Sequence, residues 1–468
     1  MFFNNLINFF QVFGVFLIVF LPAVVIHEFG HLIMMKLCGV KVLEFGIGVP
    51  FSKRWFYVRR FGIIWAFYPW LLGGFARSYG DNDAIDTAFD EVKTDKVFAK
   101  ENYIQARFQE ILGARDLEFV LEDWGIGFDQ SWKDFEKNYY KNPDKYILQE
   151  ELIKVKIAKG FEKELESKQV FFSKSWIQQT LIIIGGVTFN IITAIVCFTI
   201  IFGMFGNADL RKNLSEIEVY NKSGVNVPRS EYAYLSVSPT GLLAQSGLTS
   251  QDKVLSIGSV KMSSLSNFNE LREEIKSYAD KEISVTYLDN NNQNVTKDIL
   301  LEKKDGCVAL LGVGSGVFYD TTKVEINPLL AGASQTFLGT VEGFKQIGEI
   351  LKSTLPNQCD KRPLKSLTGP AGISKIGEQV LRQNNPIEGY LSLVAAISLS
   401  LAIFNILPIP ALDGGRWLII TLSKLTGRRN RKLESLLIGI AFMIVMGLGF
   451  IVLGLDIIKI INGEFDLR

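Results

Sequence analysis

The sequence predicts a polytopic α-helical membrane protein of about four transmembrane helices. With them go a membrane-associated β-hairpin, a cytoplasmic helical insertion and an extracytoplasmic α+β domain. Three observations carry this. Apolar residues make up 48% of the 468-residue chain, and they are bunched into long runs rather than dispersed through it. Four runs, at about residues 6–35, 177–205, 390–422 and 435–461, reach the roughly 20 residues that a span requires. The stretches between them hold most of the charge, and one of them has the short strand-like runs of a soluble domain.

Residues 1–39 form the first transmembrane helix. No basic stretch precedes its apolar run and no A-x-A-like site follows it, so it reads as a retained helix rather than a signal peptide. Residues 40–76 alternate apolar and small residues, with Trp55, Phe56, Tyr57, Trp65, Phe67, Tyr68 and Trp70 among glycines. This is the pattern of a β-hairpin or sheet lying in or on the membrane. Residues 77–172 are dense in both charge signs, and Leu152, Ile153, Val155, Ile157 and Phe161 recur at helical spacing, which predicts a soluble helical insertion. The second span occupies 173–206. In 207–325, strand-like runs at Tyr232–Val237, Lys253–Ile257, Ile283–Tyr287 and Val308–Leu311 surround a helix-like stretch, Phe268–Ile275. Residues 326–389 contain an amphipathic helix introduced by Asn327-Pro328, 390–422 hold the third span, and 423–468 hold a basic loop, the fourth span and the tail.

Basic residues near span ends orient the chain. Lys36, Lys41, Lys53, Arg54, Arg59 and Arg60 follow the first span, Lys168 and Lys174 precede the second, and Lys424, Arg428, Arg429, Arg431 and Lys432 separate the third and fourth. All three clusters share one side if the N-terminus is outside, which makes that side the cytoplasm; Arg211 and Lys212 alone oppose this. The net charge of +1 offers nothing to nucleic acid. The four cysteines form no CxxC pair, which argues against a cysteine metal site or a dense disulfide framework. In this topology Cys307 and Cys359 are the only two able to pair, because Cys38 is cytoplasmic and Cys197 lies within a span.

The two histidines of the chain are His27 and His31, and both belong to His27-Glu28-Phe29-Gly30-His31, an HExxH motif inside the first apolar run. Residues four apart share a helix face, so both imidazoles can reach one ion with Glu28 beside them. Zinc takes such a pair with a carboxylate and keeps a position open for water, which Glu28 can deprotonate as general base. HExxH also occurs by chance, but ionisable groups inside a span are costly and usually functional. The third ligand must be a carboxylate in another apolar run. Asp413, in Asn405-Ile406-Leu407-Pro408-Ile409-Pro410-Ala411-Leu412-Asp413-Gly414-Gly415, follows two helix-breaking prolines; its bland alternative is a helix cap. Asp456 is the rival, set aside because it lies near the far end of the fourth run. Asn405 and Asn190 are amides within apolar runs, suited either to hydrogen-bonding substrate backbone or an oxyanion, or to bridging helices.

HEFGH together with NxxPxPxLDGG resembles the site-2 protease family of intramembrane zinc metalloproteases, most closely the bacterial regulator of sigma-E protease type. Cys38 to Gly48, Phe172 to Asn190 and the GPxGI segment Gly369-Pro370-Ala371-Gly372-Ile373 carry the likeness along the chain, and residues 232–300 resemble that family's PDZ domain. Val187 where the family often has proline, a looser turn at Pro69–Gly74, Gln251 before the PDZ-like aspartate, and the 77–172 insertion depart from the pattern. The resemblance implies Zn²⁺ as cofactor and single-span membrane proteins as substrates, an anti-sigma factor among them. It also implies an inner-membrane location, with the active site near the cytoplasmic side and the PDZ-like domain outside as an access filter. The competing readings are a membrane metalloprotease of soluble peptides and a non-catalytic PDZ scaffold.

Overall fold

The computed structural model describes residues 2–50, 53–78, 96–167, 169–205, 211–237, 241–289, 292–301, 303–304, 307–308, 311, 313–322, 325, 327–353, 369–382, 385–426 and 431–461. Among the described residues, four helices are long and apolar enough to cross a membrane: Gly14–Leu37, Trp176–Met204, Pro386–Ile406 and Leu436–Ile458. The third is shorter than the expected 390–422. Its helix stops at Ile406, where Pro408 and Pro410 forbid continuation, and a separate helix, Asp413–Thr426, begins beyond the break. The chain divides into two compact units, Val24–Phe189 with Phe404–Val445, and Met1–Ala23 with Asn190–Ile403 and Met446–Arg468.

The first of these units holds a four-stranded sheet, β1 (Val42–Val49), β2 (Phe56–Arg60), β3 (Ile63–Phe67) and β4 (Trp70–Ser78), in the order β2-β3-β1-β4. Of the hairpin and the sheet that the pattern allows, it is thus the sheet, with the hairpin inside it. β2 and β3 do form one, closed at Phe61 and Gly62, both at positive φ as a two-residue turn of the right hand requires. But β3 then pairs in parallel with β1, and β4 adds antiparallel to β1's other side, running past residue 76 to Ser78. β4 is an edge strand, and register shifts flank its pairing with β1, one between Val42 and Glu44, the other between Ile47 and Val49. Leu32, Met35, Val42, Phe45, Ile63, Ile182, Ile183 and Ile420 bury one side of the sheet against the helices.

The same unit contains the insertion, whose described part is helical: Lys96–Ala114, Leu117–Asp123, Gln130–Asn138 and Ile147–Ser167. It buries a core of its own around Tyr103, Phe108, Ile111, Phe135, Ile153, Ile157 and Phe161. Ile153, Ile157 and Phe161 follow the i, i+4, i+8 stripe, whereas Leu152 and Val155, grouped with them in the sequence reading, face outward.

In the other unit, two antiparallel sheets and the helix Phe268–Ser277 enclose one apolar core. β7 (Lys253–Ile257), β8 (Val260–Lys261), β9 (Glu282–Leu288) and β10 (Asn294–Leu300) make one sheet; β5 (Arg211–Asn213), β6 (Tyr234–Val237) and β13 (Val313–Asp320) make the other, with β13 central. The short strands β11 (Lys303–Lys304) and β12 (Cys307–Val308) pair with each other. The expected amphipathic helix runs Pro328–Ser353. Asp456, wholly buried, accepts hydrogen bonds from the backbone N–H groups of Gly369 and Gly372 at 2.9 and 2.8 Å, which caps the helix Pro370–Leu381. That contact accounts for a carboxylate in the fourth span without any metal. Cys38 and Cys197 are free thiols; the Cys307–Cys359 pairing falls outside the described residues.

Candidate metal centre

His27, Glu28 and His31 lie on the first helix, and the Gly185-Gly186 pair of the second span lets that helix come close. A Cβ on Gly30 would meet the Gly185 carbonyl oxygen at 2.4 Å, and one on Gly186 would meet His31 Nε2 at 2.5 Å and His27 Nε2 at 2.7 Å. Glycine is thus required where the second span backs the two imidazoles. His31 Nδ1 lies 2.9 Å from the Ile182 carbonyl, so it donates there and leaves Nε2 as the ligating nitrogen. Among the site's features the sequence reading passed over the Gly186 wall and this carbonyl; the glycine pair inside an apolar run was the visible signal.

Asp413 arrives from the helix after the proline break. Its backbone there is satisfied locally, Leu407 N–H to Phe404, Ile409 to Leu407 and Leu412 to Ile409, as irregular chain at membrane depth must be. Gly415 packs so close to that loop that a Cβ would lie 2.0 Å from the Ile409 carbonyl oxygen, which explains the glycines of LDGG. Two indole hydrogen bonds tie this helix to the second span, Trp417 to Thr180 at 3.1 Å and Trp176 to Thr421 at 3.0 Å. The result is a convergent triangle. Asp413 Oδ2 is 3.2 Å from His27 Nε2 and 3.3 Å from His31 Nε2, and the two Nε2 atoms are 3.3 Å apart. Ligands held about 2.05 Å from a tetrahedral zinc ion stand about 3.3–3.4 Å from each other, so the three donors match the edges of a zinc site. No other group of three metal-binding side chains occurs among the described residues.

Glu28 points instead toward β4. A Cβ on Gly74 would touch Glu28 Cγ at 3.2 Å, and the backbone of Ala76 lies within hydrogen-bonding reach of the carboxylate. An edge strand therefore runs beside the one motif residue that is left out of the triangle. Asn405 is the half-buried penultimate residue of the helix Pro386–Ile406. Asn190 is wholly buried within the second span and is the first residue of the other unit's segment.

The family model for peptidase family M50 matches residues 15–448. A zinc metalloprotease RasP of Bacillus licheniformis is 24% identical over 447 residues, covering 92% of this chain and 95% of its own. The regulator of sigma-W protease RasP of Bacillus subtilis is 26% identical, covering 95% and 97%. A probable protease eep of Enterococcus faecalis is 25% identical, covering 93% and 94%. With four membrane-length helices and a site shaped for zinc, the chain belongs to peptidase family M50, the site-2 proteases, and is a multi-pass membrane zinc metalloprotease.

Proposed function

We propose that the chain cuts single-span membrane proteins within or beside the bilayer, with His27, His31 and Asp413 holding the zinc and Glu28 as general base. The observation that carries this is the meeting of a 3.2–3.3 Å donor triangle with an edge strand at Glu28, on helices of membrane length. Zinc, when bound, supplies the Lewis acidity that polarises water and the scissile carbonyl. Glu28 takes the proton of the attacking water and passes it to the leaving nitrogen. β4, as an edge strand, offers its outer edge to a substrate helix that has unwound, satisfying backbone that lipid cannot. Asn405 hydrogen-bonds that backbone or the developing oxyanion; the complete burial of Asn190 favours a structural role within the span.

The basic clusters support an inner-membrane protein with the N-terminus outside and the site toward the cytoplasm. Residues 232–300, within the two-sheet domain that carries β5 to β13, serve as a PDZ-like access filter. A relative named regulator of sigma-W protease makes an anti-sigma factor a reasonable substrate class. The test is cleavage of a single-span substrate in vesicles by the purified chain, with products located by mass spectrometry. A cut in or within a few residues of the apolar span is expected, lost on chelation and restored by zinc. Cleavage confined to soluble peptides overturns the reading.

A further inference from the structure

The insertion meets the sheet through a buried charged cluster. Its turn at Arg115, which adopts φ 55°, presents Asp116 between the helices Lys96–Ala114 and Leu117–Asp123. Asp116 Oδ1 accepts from Arg54 Nη2 at 2.9 Å, and its Oδ2 contacts the Arg77 guanidinium of β4. Glu44 of β1 takes a bidentate pair from Arg54, both bonds 2.8 Å, a bond from Tyr68 OH at 2.7 Å, and lies 3.1 Å from Arg77 Nη2. Two carboxylates and two guanidiniums are thus balanced, and Glu44 and Asp116 are 2% and 8% exposed. Phe119, three residues on, sits against Tyr57 with ring centroids 5.5 Å apart and under the guanidiniums of Arg54 and Arg59.

Burying four charges is a poor way to add stability, since apolar residues of similar volume do as well or better; the best-attested use of such groups is to set register. Few other contacts set the register of β4, the chief one being Phe75 over Gly46 and against Tyr68. β4 is an edge strand, it contains Gly73-Gly74, and its regular pairing with β1 is confined between two irregularities, one of them at the Glu44–Arg77 pair itself. Arg77 is adjacent to Ala76 and three residues from Gly74, the two positions that border Glu28.

We infer that the helical insertion is a positioning element for β4: Asp116 grips Arg77 and so holds the strand, and any substrate strand laid on it, in one register against Glu28. This rests on the reading that β4 receives the substrate. Asp116 and Arg77 are positioning residues and touch no reacting atom. A register error moves a strand by two residues if the same face is kept, so it appears as a change of cut site and not merely as slower cleavage.

The experiment uses the full chain in vesicles with a single-span substrate, comparing wild type, Asp116→Asn and the charge-conserving Asp116→Glu. A photoreactive residue replacing the exposed Trp70 of β4 reports substrate contact in each. Zinc content should be unchanged, kcat should fall about tenfold in Asp116→Asn, and cuts should spread to bonds two residues away; Asp116→Glu should largely restore the single cut. A folded, zinc-loaded Asp116→Asn enzyme with wild-type kcat and one cut site overturns the proposal while retained crosslinking leaves the β4 reading standing. Activity that falls only in step with folded protein, at an unmoved cut site, also overturns it. Absence of crosslinking in the wild type removes the β4 reading and the proposal with it.

Discussion

Glu28 and Asp413 are both carboxylates near two imidazoles, yet their surroundings differ. Asp413 points both bonds' worth of charge at the histidines, whereas Glu28 turns toward Gly74 and Ala76. Glu28→Gln is therefore expected to keep zinc and lose cleavage by roughly 10²–10⁴-fold, since the ligands stay while the base goes. Metal analysis beside a cleavage assay checks this, and near-normal cleavage removes Glu28 from the role. Gly186→Ala tests the wall behind the imidazoles. Its Cβ would overlap both Nε2 atoms, at 2.5 and 2.7 Å, so the ring positions must shift. Zinc affinity should fall about 10–100-fold or more, the usual scale for disturbing what orients the ligands; unchanged affinity would show that the imidazoles do not depend on this wall.

At the scale of elements, the charged cluster on which the insertion docks contains sheet residues that titrate. Burial pushes the Glu44 carboxyl up, but the hydrogen bonds from Arg54, the charges of Arg77 and Arg54, and the Tyr68 hydroxyl outweigh it and hold it below its ordinary value of 4.5. Burial likewise raises the Tyr68 phenol, and Glu44 raises it further, so it remains a donor. A carboxyl depressed in the folded state stabilises that state above its unfolded value and ceases to do so as pH falls through the lowered one. The stability that Glu44 lends the sheet should thus be level above about pH 5 and weaken progressively below the ordinary carboxylate value of 4.5. Hydrogen exchange of residues 42–78 and 96–123 in mild acid measures it. Glu44→Gln should flatten the dependence, and an equally steep loss in that variant would place the acid-labile group elsewhere.

For the whole molecule, the two-sheet domain bearing β5 to β13, residues 211–320, is expected to filter substrates and take no part in chemistry. Excising residues 232–300 alone would leave β13 without β6 and open the core around Leu243 and Val254, so the cleaner deletion is about 211–321 with a short flexible linker. That deletion should leave zinc in place and cleave a short single-span substrate at least as fast as the intact chain. Its discrimination against the same span carrying a bulky outer domain should relax, because exclusion is as much a source of specificity as attraction. An unchanged ratio of the two rates rules out the filter.

The sequence by itself determined the spans, the HExxH pair and the carboxylate beyond the proline break. These depend on composition and on spacing along one helix, which local physics dictates. It left the choice of hairpin or sheet open, because parallel pairing of β1 with β3 joins residues about 20 apart and has no signature in alternation. It left Asp456 unexplained, since a carboxylate in a span reads alike whether it binds metal or caps a distant helix. Only the tertiary structure decided which glycines wall the imidazoles, which strand edge faces Glu28, and that an insertion with no legible purpose sends Asp116 to Arg77. Each of these is a contact between segments far apart in the chain, chosen by packing and charge balance that no local pattern encodes.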